Sequence, residues 1–396
     1  MGIIKAEKNR TQITRNGGGT PKSALIIYAL FFVYALSTGL LGTLMSTLLA
    51  QFGISVSDGG TLTFVQYLGS TIATVCSGWL LCRYGKWQLV IVAGAFLALS
   101  DIIVRGVASF PVFLAVLFLL GVSGKLVDVT GNALVAQVFS AKKGLYMNLL
   151  HATFGTGNFL GPILAGWVLA AGIRWQVSFV SVGIISAAVI VVMAILKRSG
   201  SLPETVPDQA EKLQIGRLLS ERKVWMLMLS LFFYCGHQVG IASWIPMFME
   251  KEFGVSAEFG GIGVSAFWLG LIISRLLCSW LSGLVEVKKL LTGGLIIATA
   301  GFTAGILIHT PWAVITGCTM AGLFAGAAIP LCLVLTYDSY SALQGTASML
   351  MFVSISVGQL LYPWLMGIVA EHAGLTMSMV IDIFCMIGSA VTALLV

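Results

Sequence analysis

Charge is what this chain has least of. Only 9% of its 396 residues are charged and 58% are hydrophobic, whereas a soluble domain carries roughly 25% charged residues. That scarcity excludes a normal water-facing surface, and with it the soluble domains that the length would otherwise suggest. Lipid is the solvent the composition implies. Paired cysteine spacing is also missing. Cys76, Cys82, Cys235, Cys278, Cys318, Cys332 and Cys385 stand alone, nearly all in apolar runs. They read as small buried hydrophobes rather than as disulfides or metal ligands. No phosphate-binding glycine loop, zinc spacing or nucleophile elbow occurs in a polar context, so an enzyme, and ATP-driven chemistry in particular, has no apparatus. The central polar loop is too short for a nucleotide-binding domain. A cleavable signal peptide is absent too, since the first 22 residues are polar and basic and a full-length span follows. The net charge of +7 sits in short clusters between apolar spans, which excludes a nucleic-acid partner.

What is there is a series of apolar runs long enough to cross a bilayer, for which about 20 residues suffice. Twelve occur, at 23–50, 59–82, 87–108, 111–139, 145–171, 175–196, 224–248, 254–281, 290–308, 311–337, 343–370 and 375–396. An all-α membrane protein follows. One side collects Lys5, Lys8, Arg10, Arg15 and Lys22, then Arg83 and Lys86, Lys142 and Lys143, the basic residues of the central loop, and Lys288 with Lys289. The other side has only Arg105, Arg174 and Lys251. By the positive-inside rule both termini are expected in the cytoplasm of a multi-pass protein of the cell (inner) membrane.

The polar segment with Pro203, Glu204, Pro207, Asp208 and Glu211 divides six spans from six. The expected organisation is a cytoplasmic tail at 1–22, a six-helix bundle at 23–196, a cytoplasmic linker at 197–223 and a second bundle at 224–396. A single offset of 201 residues relates the halves. Leu68-Gly69 and Gly78-Trp79-Leu80 recur as Leu269-Gly270 and Ser279-Trp280-Leu281. Asn158, Pro162 and Gly166 recur as Gln359, Pro363 and Gly367, and Gly39 as Gly240. Parallel repeats about the membrane normal are the architecture of major facilitator transporters.

Several motifs carry a closer likeness. The loop from Gly78 through Cys82-Arg83-Tyr84-Gly85-Lys86 resembles the major facilitator signature between spans two and three, with Cys82 where an aspartate is usual. Asp128-Val-Thr-Gly-Asn132, then Asn148-Leu-Leu-His151-Ala-Thr-Phe154-Gly155, resemble the fucose:proton symporter branch, which includes related sodium-glucose transporters. Tyr234-Cys-Gly236-His237-Gln238 leading to Ser243-Trp244, and Phe267-Trp268-Leu-Gly270 through Ser274-Arg275, are similar to its seventh and eighth spans. The resemblance implies two pseudo-symmetric six-helix halves, alternating access and a gate at Gly78, Arg83, Gly85, Lys86 and Arg275. Because the branch's first-span aspartate has no counterpart here, strict fucose specificity is not implied.

A charge inside a span costs several kcal/mol unless it is paired or wet. Lys125 and Asp128 fall near the middle of the fourth span, on one helical face by their i, i+3 spacing, with Asn132 continuing that face. One use is a permanent ion pair with structural work only. The other is ion coupling: burial disfavours the carboxylate and a nearby ammonium favours it, so changing their separation would load and unload a proton. A third would pair Lys125 with a substrate carboxylate. Arg275 has no evident partner, and a packing role through backbone carbonyls is its alternative. Asp101 and Arg105, four apart near the outer end of the third span, are expected to pair. Asp382, two turns inside the last span, is placed to snorkel outward.

Sugar recognition needs neutral donors, acceptors and aromatic faces amid apolar walls. Candidates for substrate binding are Asn132, His151, Asn158, Gln238, Trp244 and Gln359, with Asn148 and Trp268 beside them. Each could instead be an interhelical hydrogen bond. His151 and His237 have the side chain that titrates near neutrality. Gly157, Gly161 and Ala165 mark close helix crossings. The combined expectation is symport of a sugar or sugar-like polar solute with H+ or Na+ and no cofactor, by a monomer whose partners are a small solute and lipid. The alternatives are an organic-anion, sugar-acid or drug-efflux transporter of the same fold, or a solute receptor that moves nothing.

Overall fold

The computed structural model describes residues 20–206 and 214–396. The tail residues Lys5, Lys8, Arg10 and Arg15, and Pro207, Asp208, Glu211 and Lys212 of the linker, lie outside them. Six helices come first: α1 (Pro21–Phe52), α2 (Val56–Arg83), α3 (Lys86–Ile103), α4 (Phe110–Val138), α5 (Lys143–Ala170) and α6 (Gln176–Arg198). After the short α7 (Ile215–Leu219) follow α8 (Arg222–Phe253), α9 (Ala257–Leu281), α10 (Val287–Ile308), α11 (Pro311–Ala325), α12 (Ala328–Ser339), α13 (Gln344–Ala373) and α14 (Leu375–Leu394). Among the described residues eleven spans are long and apolar enough to cross a membrane, with α11 and α12 together forming one. Helix α5, 28 residues long, completes twelve, its apolar run diluted by Asn148, His151, Thr153, Thr156 and Asn158.

The 201-residue offset is a repeat of backbone events. Gly53 and Gly254 end α1 and α8 in the left-handed conformation, at φ 61° and 66°, as only glycine readily allows. Ser55 and Ser256 then cap α2 and α9, and Pro162 and Pro363 lie inside α5 and α13. The closest crossings repeat as well. A Cβ on Gly121 of α4 would stand 1.8 Å from the Gln66 carbonyl oxygen of α2, and one on Gly322 of α11 would stand 2.0 Å from that of Phe267 in α9. Both oxygens are backbone, so neither can step aside. Gly121→Val and Gly322→Val are each expected to cost about 1–3 kcal/mol or more by overpacking, read as a lowered thermal midpoint in detergent.

The span expected at 311–337 is interrupted between Ala325 and Ala328. Pro330 has no N–H, so the Gly326 carbonyl four residues earlier loses its helical partner, and the ladder breaks there. Likewise Pro246 of α8 frees the Ala242 carbonyl, and Gly42 of α1 approaches it so closely that a Cβ would sit 1.8 Å away.

Call the side bearing the linker, where α1 starts and α14 ends, the linker face, and the opposite side the far face. The halves meet chiefly along α2 with α13 and α5 with α9. At the far face Gly60 packs on Gly367, Gly166 on Glu258, and Phe64 on Trp364. At mid-depth Ser265 Oγ donates to Phe159 O at 2.8 Å, and the Thr74 and Ser356 hydroxyls lie 3.4 Å apart. Toward the linker face α2 buries only the narrow stripe Ala73, Ser77 and Leu81, and α9 only Ser274. The halves are therefore closed on the far face and parted on the linker face.

Candidate functional site

Helix α4 turns Val127, Thr130, Gly131 and Leu134 inward, with Gly124 and Gly131 against the rings of Tyr34 and Phe31. The adjoining face carries the charges. Lys125 Nζ lies 2.9 Å from Asp128 Oδ2, and Asn132 Nδ2 donates to Asp128 Oδ1 at 2.9 Å and to its carbonyl at 2.8 Å. Both carboxylate oxygens are thus engaged from their own helix, as the spacing of the three residues anticipates. The pair stays partly open, at 14% for Lys125 and 24% for Asp128.

His151 of α5 stands half-buried between this trio and Arg275 of α9, within electrostatic reach of Arg275, Asp128 and Lys125. Arg275 Nε makes a long contact, 3.4 Å, to the Gly326 carbonyl that Pro330 sets free. Among the described residues no carboxylate pairs with it. Tyr34 lies within electrostatic reach of Asp128, Tyr234 and Cys235 within reach of Arg275, and Tyr67 within reach of Cys235. Sequence reasoning named none of these four as site residues, although Tyr234 and Cys235 fall in the seventh-span motif. The 201 offset held a signal for three of them, since it aligns Tyr34 with Cys235 and Tyr67 with Trp268. An aromatic wall continues from Tyr34 through Phe154 to Trp268, at ring separations of 5.5 and 5.9 Å.

The remaining candidates divide. Gln238 is buried in α8 and Gln359 half-buried in α13, and neither makes a described hydrogen bond. Asn148 is exposed on α5. Asn158 is spent on packing, donating to Phe154 O and accepting from Thr38 Oγ1, both at 3.2 Å. Close by, a Cβ on Gly157 would stand 2.5 Å from Phe32 O, and one on Gly161 2.9 Å from the Gly39 Cα. Trp244 is fully buried, its Nε1 donating to Pro363 O at 2.9 Å and its ring seated on Gly59 and Gly367. It plugs the far face between the halves. Trp268 Nε1 is buried without a partner.

Two buried carboxylates differ from expectation. Asp101 does not pair with Arg105, which is exposed in a 3-10 turn; it turns inward to accept Ser37 Oγ at 2.8 Å and is 0% exposed. Asp382 does not snorkel. It is 0% exposed, 3.0 Å from His237 Nδ1, and lies between α8 and α14 inside the second half. Both acids find a polar group on the first helix of their own half instead of water.

At the linker-face loop Gly78 has open space around it, Arg83 stacks over Trp79 at 5.3 Å, and Gly85 caps α3. Lys86 is 1% exposed and donates to Val206 O at 2.8 Å, beside Trp87 Nε1 donating to Pro203 O at the same distance. The basic end of this loop anchors the linker.

Two pseudo-symmetric sets of six spans, closed on one face around a part-open charged site, define a membrane transporter rather than an enzyme. The chain belongs to the Major Facilitator Superfamily, which it matches over residues 27–262 and 227–396. It is 25% identical over 369 residues to Protein TsgA of Shigella flexneri, covering 87% of each chain. In fold it is similar to a bacterial homologue of the human lysosomal transporter Spinster, solved inward-facing and unoccupied. That TM-score is 0.75 at 16% identity, covering 96% of this chain and 97% of the other. It also resembles the E. coli fucose:proton symporter, at TM-score 0.65 and 17% identity, covering 95% and 98%.

Proposed function

We propose that this chain is a symporter that moves a sugar or similar polar solute with a proton, or a sodium ion in its place, through the chamber between its halves. The lysine and arginine distribution supports a cytoplasmic linker face and cytoplasmic termini, and with that orientation the chamber opens inward. One observation supports the reading: of the three aspartates held inside the helical halves among the described residues, Asp101, Asp128 and Asp382, only Asp128 is part-open. It alone can exchange an ion with the chamber while Lys125 and Asn132 hold it in place. Gln238, Gln359, His151 and the Phe154–Trp268 wall offer the neutral polar groups and ring faces that a polyhydroxyl solute needs.

A thermal-shift panel of neutral sugars and sugar acids selects the solute. Its uptake is then measured in proteoliposomes under imposed proton and sodium gradients. Gradient-driven accumulation is expected for wild type, and for Asp128→Asn only the level of protein-free vesicles. Accumulation unaltered in Asp128→Asn would defeat the coupling role, and binding without flux would mark a receptor. A second reading, transport of an organic anion, is favoured by one fact: Arg275 faces the site without a carboxylate partner among the described residues. Uptake of sugar acids but not neutral sugars, lost in Arg275→Gln, would select it.

A further inference from the structure

A helix leaves its first backbone N–H groups without partners, and at α2 they are filled from both halves. Ser55 N donates to Asp58 Oδ2 at 3.1 Å, and Asp58 N donates to Ser55 Oγ at 3.1 Å. The two N–H groups between them, of Val56 and Ser57, donate to Glu371 Oε2 at 2.8 and 3.4 Å. Glu371 belongs to the last turn of α13, in the other half. The carboxylate therefore meets both the orphan donors and the positive end of the α2 dipole, across the seam that has to open if the far face is to admit solute.

The related contact shows what is special here. Helix α9 is capped by its own Ser256, with Glu258 in its first turn, and the offset places Ala170 of α5 where Glu371 stands. Glu258 packs on Gly166 there, but among the described residues no side-chain hydrogen bond crosses to the α9 N-terminus. At the linker face the N-termini of α5 and α13 carry neither a side-chain cap nor an acidic first turn.

We infer that Glu371 is a far-face gate latch: its bond to the α2 N-terminus holds the chain in the linker-open arrangement, and each opening of the far face breaks it. The inference rests on the transporter reading but needs no solute, so its test stands apart from uptake. Hydrogen–deuterium exchange is followed by mass spectrometry on the full chain in detergent. In Glu371→Ala, exchange is expected to rise about three- to tenfold, the range set by loss of a helix cap. The rise extends beyond residues 56–58 to the far-face ends of α5 and α9, which Glu371 does not touch, while exchange slows at their linker-face ends. Glu371→Gln keeps an acceptor oxygen without the charge and falls between. A rise confined to residues 56–58, or none, overturns the latch and leaves a local cap. If Glu371→Ala exchanges faster on both faces through loss of fold, Glu371→Gln is judged by the same two criteria.

Discussion

Replacing Asp382 by alanine is expected to cost about 2–5 kcal/mol of stability, the combined range for a buried hydrogen-bonding group left unsatisfied and the cavity opened beside it. Asp382 and His237 are each 0% exposed, and they meet at 3.0 Å. The imidazole is walled by Phe302 and Phe267, at ring separations of 4.9 and 6.3 Å. Its Nε2 already lacks a partner, as does Asp382 Oδ1, so the pair has no second line of hydrogen bonds to fall back on. Alanine leaves both ring nitrogens unsatisfied in an apolar pocket and opens a void against Gly240, to which Asp382 Oδ1 is packed. Asp382→Asn keeps an oxygen facing Nδ1 and should cost less, about 1–2 kcal/mol. Denaturant titration in mixed micelles measures both. Loss in Asp382→Ala of under about 1 kcal/mol, the size of an ordinary interhelical hydrogen bond in a membrane, would show that α8 and α14 do not depend on this contact.

That pair also marks the boundary of what a linear reading can find. The 201 offset was visible as repeated glycines and prolines, and it proved to be a set of repeated crossings because close helix packing tolerates nothing larger at Gly121 and Gly322. Lys125, Asp128 and Asn132 were legible for a similar reason: their bonds run within one helix, where spacing decides geometry. Asp101, Asp382 and Glu371 have partners 64, 145 and about 315 residues away, and no local pattern encodes such distances. Asp101 looked paired with Arg105 because four residues apart is one helical turn. The helix instead ends in a 3-10 turn at Val104–Gly106, which carries Arg105 off that face. Asn158 and Trp244 have the chemistry of solute ligands, but the crossings at Gly39, Gly59 and Gly367 press backbone and ring so close that both are used to seal helices. Residue type suggested binding, and packing assigned them otherwise.

Lys125 separates the two uses of the mid-depth ion pair. Lys125→Ala is expected to abolish gradient-driven accumulation of the solute chosen by the thermal-shift panel. It should also lower stability by about 1–2 kcal/mol, a buried-pair cost reduced because the partners are 14% and 24% exposed and solvent screens them. The double variant Lys125→Ala/Asp128→Ala removes both charges, so no lone carboxylate remains in the chamber wall, and stability should return most of the way to wild type. Transport should not return, because the group that takes and gives up the ion has gone. A structural pair predicts the opposite for the double variant, since restoring the fold would restore uptake. Lys125→Arg keeps the charge within reach of Asp128 and should retain part of the activity. Stability and uptake measured on the same three proteins therefore decide the matter: if they recover together in the double variant, Asp128 is a strut, and if only stability recovers, it is the coupling site.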